Sequence, residues 1–198
     1  RLYARGSSDN KGQHFAHVKA VECFLRSGTP LPVNVIFVIE GEEEVGSQEL
    51  AVFLRRHAKS LRADVTVISD SGMFSKRHPT ITYATRGLVG LEVHVNGPSR
   101  DVHSGVFGGS IANPVLAHAR MLAGCVDAKG RVSIPGFYED VRPIEAWERR
   151  AFRRLPFNVT AYARFLGVSA LEGEKGFTTL ERRWSRPTFE VNGIFGGY

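Results

Sequence analysis

Val33 to Ser47 reads VNVIFVIEGEEEVGS. Its first part, through Ile39, is a nearly continuous β-branched and aromatic run, the pattern of a strand buried on both faces of a parallel sheet. Its second part crowds Glu40, Glu42, Glu43 and Glu44 ahead of Gly46 and Ser47. In open α/β sheets, ligands bind just beyond the carboxyl ends of the strands. Crowded like charges are costly there unless a cation or a shared proton relieves them. The same cluster also suits a solvated acidic loop before a helix, whose N-terminal dipole favours carboxylates. The stretch alone leaves both readings open.

Upstream, a short Gly/Ser-containing segment leads to Asp9-Asn10-Lys11-Gly12. From Gln13, Val18, Val21 and Leu25 recur at helical steps, and Gly28 stands where a C-terminal cap belongs. Downstream, Ser47 is placed to cap a second helix whose buried stripe is Leu50, Phe53, Leu54, His57 and Leu61. Two more apolar runs follow, Val65 to Ile68, which ends in Ser69-Asp70, and Thr80 to Ala84. Strands alternating with helices imply parallel strands with crossover helices. Right-handed crossovers then bring Asp9, the Glu42–Glu44 cluster and Asp70 to one edge of the sheet. Singly, each Asp is ordinarily a cap or turn former.

The pattern changes after Arg86-Gly87. Val89, Leu91, Val93 and Val95 alternate with Gly90, Glu92, His94 and Asn96, as in a strand of an antiparallel sheet with one solvated face. Gly97-Pro98 turns the chain into Asp101-Val102-His103-Ser104-Gly105, and a helix is expected over about 113–123. Further helices are expected at about 145–154 and 159–166, with Trp147 and Phe152 in the core, and a returning strand from Thr188 to Ile194. The expected architecture is α/β: residues 1–87 part of a parallel-sheet α/β/α domain, and residues 88–198 part of an inserted α+β domain.

The chain has 198 residues, 42% hydrophobic and 23% charged, as in an ordinary soluble globular protein. No apolar run approaches the roughly 20 residues of a membrane span. Two cysteines, Cys23 and Cys125, are too few for a disulfide framework, which points to a reducing, cytoplasmic setting. The net charge of +6 is spread evenly along the chain, which argues against a nucleic-acid partner. Its basic clusters, Arg149-Arg150, Arg153-Arg154 and Arg182-Arg183, have Glu145, Glu148 and Glu181 beside them, and a solvated helical face is expected. The chain opens at Arg1 without a methionine and stops after an apparent strand; it reads as an internal piece of a longer protein.

Four motifs carry a resemblance. They are Tyr3-Ala4-Arg5-Gly6-Ser7-Ser8-Asp9-Asn10-Lys11-Gly12, Glu40-Gly41-Glu42-Glu43-Glu44-Val45-Gly46-Ser47, Ser69-Asp70, and Asp101-Val102-His103-Ser104-Gly105. In order and spacing the chain resembles the zinc metallopeptidase family of carnosinase, cytosolic dipeptidases, glutamate carboxypeptidase, aminoacylases and succinyl-diaminopimelate desuccinylase. Pro187 to Tyr198 looks like a later segment of the carnosinase-like branch. The resemblance implies two Zn²⁺ per subunit, with Mn²⁺ or Co²⁺ as substitutes. Asp9 would bridge the two ions, Glu44 would bind one and Asp70 the other. Glu43 would be the general base, and Lys11 and Gly12 would shape the turn. The second domain would be a lid that also forms a homodimer interface, with His103 reaching the neighbouring subunit's site to bind substrate. A His-x-Asp motif upstream of Asp9 and a histidine near the C-terminal end, which supply family ligands, have no match here; three of five ligands are present. The implied reaction is hydrolysis of dipeptides or short peptides with a free carboxylate. N-acyl amino acid amidohydrolysis, a non-catalytic dimerising fragment, and a carboxylate-only Mg²⁺ or Mn²⁺ site are the alternatives.

Overall fold

Two stretches of chain pack separately, Arg1–Ile81 and Thr82–Tyr198. The structure, a computed structural model, describes residues 3–197. Arg1, Leu2 and Tyr198, which open and close the segments read above, lie outside the described residues.

In the first unit, helix α1 spans Lys11–Arg26. It ends as the sequence indicates: Ser27 N donates to Cys23 O at 3.0 Å, and Gly28 takes φ +68°, a left-handed value that favours glycine. Cys23, on this helix, is exposed. The acidic cluster forms a single 3₁₀ turn, Glu43–Val45, closed by Gly46 at φ +92°. Helix α2 then runs over Leu50–His57. Its N-cap is Glu49 rather than the expected Ser47. The left-handed exit continues through Ser47, at φ +46°, so the helix cannot begin until the chain has left that region.

The apolar runs form no sheet ladder among the described residues. The pairings there are isolated bridges, Ser75 to His78 and Val126 to Val132. A strand is held by a neighbour about 4.8 Å away and, in a parallel sheet, by layers covering both faces. Val33 to Ile39 has neither: Phe37 is 45% exposed and Ile39 63%. The Val89 to Val95 run likewise has no partner, and only Val95 of its four apolar positions is half-buried. The parallel and antiparallel strands expected from the sequence are therefore unpaired here.

The second unit carries α3, Ser104–Phe107, and α4, Pro114–Gly124. Asn113 caps α4, its Oδ1 accepting from Val115 N at 2.9 Å and Leu116 N at 3.1 Å, with Pro114 in the first turn. Helices α5, Ala146–Arg154, and α6, Val159–Leu166, stand where their periodicity placed them. Helix α7, Thr179–Ser185, was not expected, and it packs on α5. Its signal was a capping box, Thr178 with Glu181 three residues on.

Val132, Ile144, Ala163 and Leu180 are the buried apolar residues of this unit, and with them are buried Glu148, Glu174, Glu181 and Arg186. Of the expected solvated helical face, Arg150, Arg153, Arg154 and Arg183 are exposed, whereas Glu148 and Glu181 are buried and correct it. Glu148 is 1% exposed and takes a fork of two bonds from Arg142, at 2.9 and 2.6 Å. It also accepts from the Tyr83 hydroxyl and from Glu145 N. Arg149 reaches Glu181 at 2.6 Å. Arg186 pairs with Glu174 in the same forked way and lies over the rings of Phe177 and Tyr138. Buried carboxylates persist because each is paired and hydrogen-bonded. Phe152 meets Trp184 edge-on at 5.3 Å, while Trp147 is 47% exposed rather than a core residue, with Nε1 bonded to Glu145.

These contacts make the second unit acid-sensitive. The hydrogen bonds from Arg142, and then that from Tyr83, lower the Glu148 carboxyl from 4.5 to about 2. A depressed carboxylate stabilises the folded state fully above its unfolded value, and that stability is lost as pH falls from about 4.5 toward 2. Trp147 and Trp184 are the chain's two tryptophans and both lie in this unit. Their fluorescence in urea titrations should show the unfolding midpoint falling across that window, and Glu148→Gln should flatten the dependence. A midpoint unchanged between pH 5 and 3 in the unsubstituted protein contradicts this.

Candidate metal centre

The turn ahead of α1 is the hub of the first unit. Gly6 O accepts from Lys11 N at 2.8 Å, and Lys11 Nζ donates to Arg5 O at 3.1 Å. Lys11 thus ties back to residues 5 and 6, ahead of Asp9, whereas the resemblance gave it and Gly12 the turn after Asp9. From the turn, two side chains reach the distant carboxylates. Arg5 Nη1 meets Glu44 Oε1 at 3.0 Å. Asn10 Nδ2 donates to Asp70 Oδ1 at 3.0 Å and to Ser69 O at 3.3 Å. Asp9 stands in the chain between these two tethers, and its peptide bond to Asn10 is cis.

The Asp9 carboxyl is raised above its ordinary value, first by the charge of Asp70, then by burial, by a hydrogen bond with Asp70 and by the charge of Glu44; Arg5 lowers it. Glu44, tethered by Arg5, and Asp70, tethered by Asn10, thus both act electrostatically on Asp9 within one unit, from segments far apart in sequence. Glu43 and Glu44 lie on the same 3₁₀ turn, and both are exposed. Among the described residues, no hydrogen bond or ion pair engages the Glu43 side chain. Two participants escaped the sequence reading, Arg5 and Asn10. Both lie inside the quoted Asp9 motif, where their types alone did not distinguish them from turn formers.

Charge and donor type suit a cation: Asp9 feels the charges of Asp70 and Glu44, and Arg5 offsets them. Geometry is less complete. Among the described residues, no three His, Cys, Asp or Glu side chains are already arranged to hold a metal ion. Zinc takes about four ligands and favours nitrogen and sulfur beside carboxylate. The set fits the metal in charge and is short of a full shell.

His103 belongs to the second unit. It is the N-cap of α3, and its Nδ1 accepts from Gly105 N at 3.0 Å. An accepting Nδ1 places the neutral ring's proton on Nε2.

Known proteins share both this sequence and this chain path. The chain superposes over 99% of its length on 44% of an M20 family metallo-carboxypeptidase, Sso-CP2 from Sulfolobus solfataricus, with a TM-score of 0.72 and 30% identity. The class is that of the metallopeptidases with an α/β catalytic domain. Residues 1–194 match the peptidase family M20/M25/M40, and the chain belongs to that family. It is 34% identical over 201 residues to a Beta-Ala-His dipeptidase of Mus musculus, covering all of this chain and 41% of that protein. It is 30% identical over 200 residues to the Cys-Gly metallodipeptidase dug1 of Schizosaccharomyces pombe, covering all of this chain and 42% of that one. The chain thus spans about two fifths of the length of these relatives. Among the described residues, no helix is long and apolar enough to cross a membrane.

Proposed function

We propose that this chain carries the acidic half of the active site of a metal-dependent dipeptidase, which hydrolyses the amide bond of dipeptides or short peptides bearing a free carboxylate. The observation that carries this reading is the convergence of Asp9, Glu44 and Asp70 on the turn tethered by Arg5 and Asn10. Family membership and the dipeptidase relatives support it.

Asp9, Glu44 and Asp70 would hold two zinc ions, with Mn²⁺ or Co²⁺ as substitutes, Asp9 between them and Glu44 and Asp70 one on each. The chemistry such a metal would supply when bound is the activation of a water, whose pKa would fall to about 7. Glu43, which has no side-chain partner among the described residues, would take the proton from the attacking water and return it to the leaving amine. Glu44 is held by Arg5 at 3.0 Å and would serve as a metal ligand. The second unit would serve as the lid and dimer surface, in which the strand read over Val89 to Val95 gains a partner. His103, with its proton on Nε2, would donate to the developing oxyanion in the neighbouring subunit's site.

Two measurements on the whole protein test this. It should release free amino acids from dipeptides, and a chelator should abolish the activity, which added zinc restores; chelator-insensitive hydrolysis would sink the reading. His103→Ala should leave bound metal unchanged and lower turnover by about 10²–10³-fold, the cost of one oxyanion donor. Unchanged turnover in His103→Ala removes the role given to that side chain.

A further inference from the structure

Asn10 is the N-cap of α1, and asparagine is among the residues best suited to accept from a helix's first N–H groups. Its side chain makes no such bond. The amide is instead turned across the unit, with Nδ2 donating to both Asp70 Oδ1 and Ser69 O. Two more residues of α1 do the same. Gln13 Nε2 donates to Ser71 O at 3.3 Å, and His17 Nε2 lies 2.6 Å from Ser69 Oγ. Positions 10, 13 and 17 share one helical face, and their partners are the consecutive residues 69, 70 and 71. The first two turns of α1 therefore grip one short loop through four polar contacts. That loop has no ladder to hold it, and Asp70 itself is exposed.

We propose that Asn10, Gln13 and His17 are positioning residues, which fix the Ser69–Ser71 loop so that the Asp70 carboxylate is held in place for a metal ion. Nδ2 has two hydrogens and spends one on the Asp70 carboxylate and one on the neighbouring carbonyl. Partners behind a ligating carboxylate set its direction and basicity, and their loss typically weakens metal binding about 10–100-fold. His17 acts one step further back, through the Ser69 hydroxyl. This inference rests on the metal-site reading above.

The test is metal competition and visible absorption on the cobalt-loaded whole protein. Asn10→Ala should weaken Co²⁺ binding by about 10–100-fold and shift the d–d bands, because the placement of the Asp70 carboxylate changes. His17→Ala should do the same to a smaller extent. His17→Gln, whose amide reaches to about the place of Nε2, should restore much of the loss, which a merely structural change would not do. Far-UV dichroism checks that α1 persists; if Asn10→Ala loses it, the His17 pair decides the matter alone. Asp70→Ala is the control. If it binds Co²⁺ as tightly as the unsubstituted protein, the metal reading falls and the positioning role with it. If Asp70→Ala loses metal while Asn10→Ala and His17→Ala keep both affinity and spectrum, the positioning role alone is overturned.

Discussion

Glu43→Gln in the whole protein is expected to lower turnover by about 10²–10⁴-fold, the usual contribution of a positioned general base, with bound metal at the unsubstituted level. The argument rests on what the turn does with its two carboxylates. Glu44 is anchored by Arg5 at 3.0 Å, whereas no ion pair or hydrogen bond engages Glu43 among the described residues. A base must be unligated to accept a proton and mobile enough to deliver it to a different atom. Glutamine keeps the size and hydrogen bonding of glutamate and loses only the ability to take the proton. Steady-state kinetics beside metal analysis reads both quantities. Loss of metal with Glu43→Gln would exchange the roles of the two neighbours.

Glu44→Gln is expected to act in the opposite order, with metal lost first and activity following. The substitution removes one of three converging negative charges and leaves the Arg5 guanidinium without its carboxylate partner. Because the Glu44 charge helps raise the Asp9 carboxyl, its removal also brings Asp9 back toward its ordinary value. Excess zinc in the assay should therefore recover part of the Glu44→Gln activity and none of the Glu43→Gln loss. If neither substitution alters turnover, the cluster is a helix-leading acidic loop and no more.

The helices were legible because their signals are local. Gly28 after α1, Asn113-Pro114 before α4, and the apolar spacing of α5 and α6 each set an element within a few residues of itself. Ser47 misled because a good capping residue was read without the left-handed Gly46–Ser47 backbone that precedes α2. The strands were read as apolar runs, correctly as composition. Pairing, however, depends on neighbours that a run does not specify, and Val33 to Ile39 has none among the described residues. The buried network of the second unit was hidden for a different reason. Glu148, Glu174 and Arg186 have the composition of a surface and become interior only through partners such as Tyr83, Arg142 and Phe177. At the site, the carboxylates stood out through motif and register, whereas Arg5 and Asn10 were invisible as partners because their bonds span 39 and 60 residues.

The central claim is that Asp9, Glu44 and Asp70 act together on a cation, and metal stoichiometry tests it most directly. The whole protein, purified with zinc and freed of loose metal, should hold about two ions per subunit. Asp9→Ala, which removes the carboxylate proposed to lie between them, should hold fewer than one, with its fold intact by dichroism. Retention of two ions by Asp9→Ala, or no tightly held metal in the unsubstituted protein, would contradict the account.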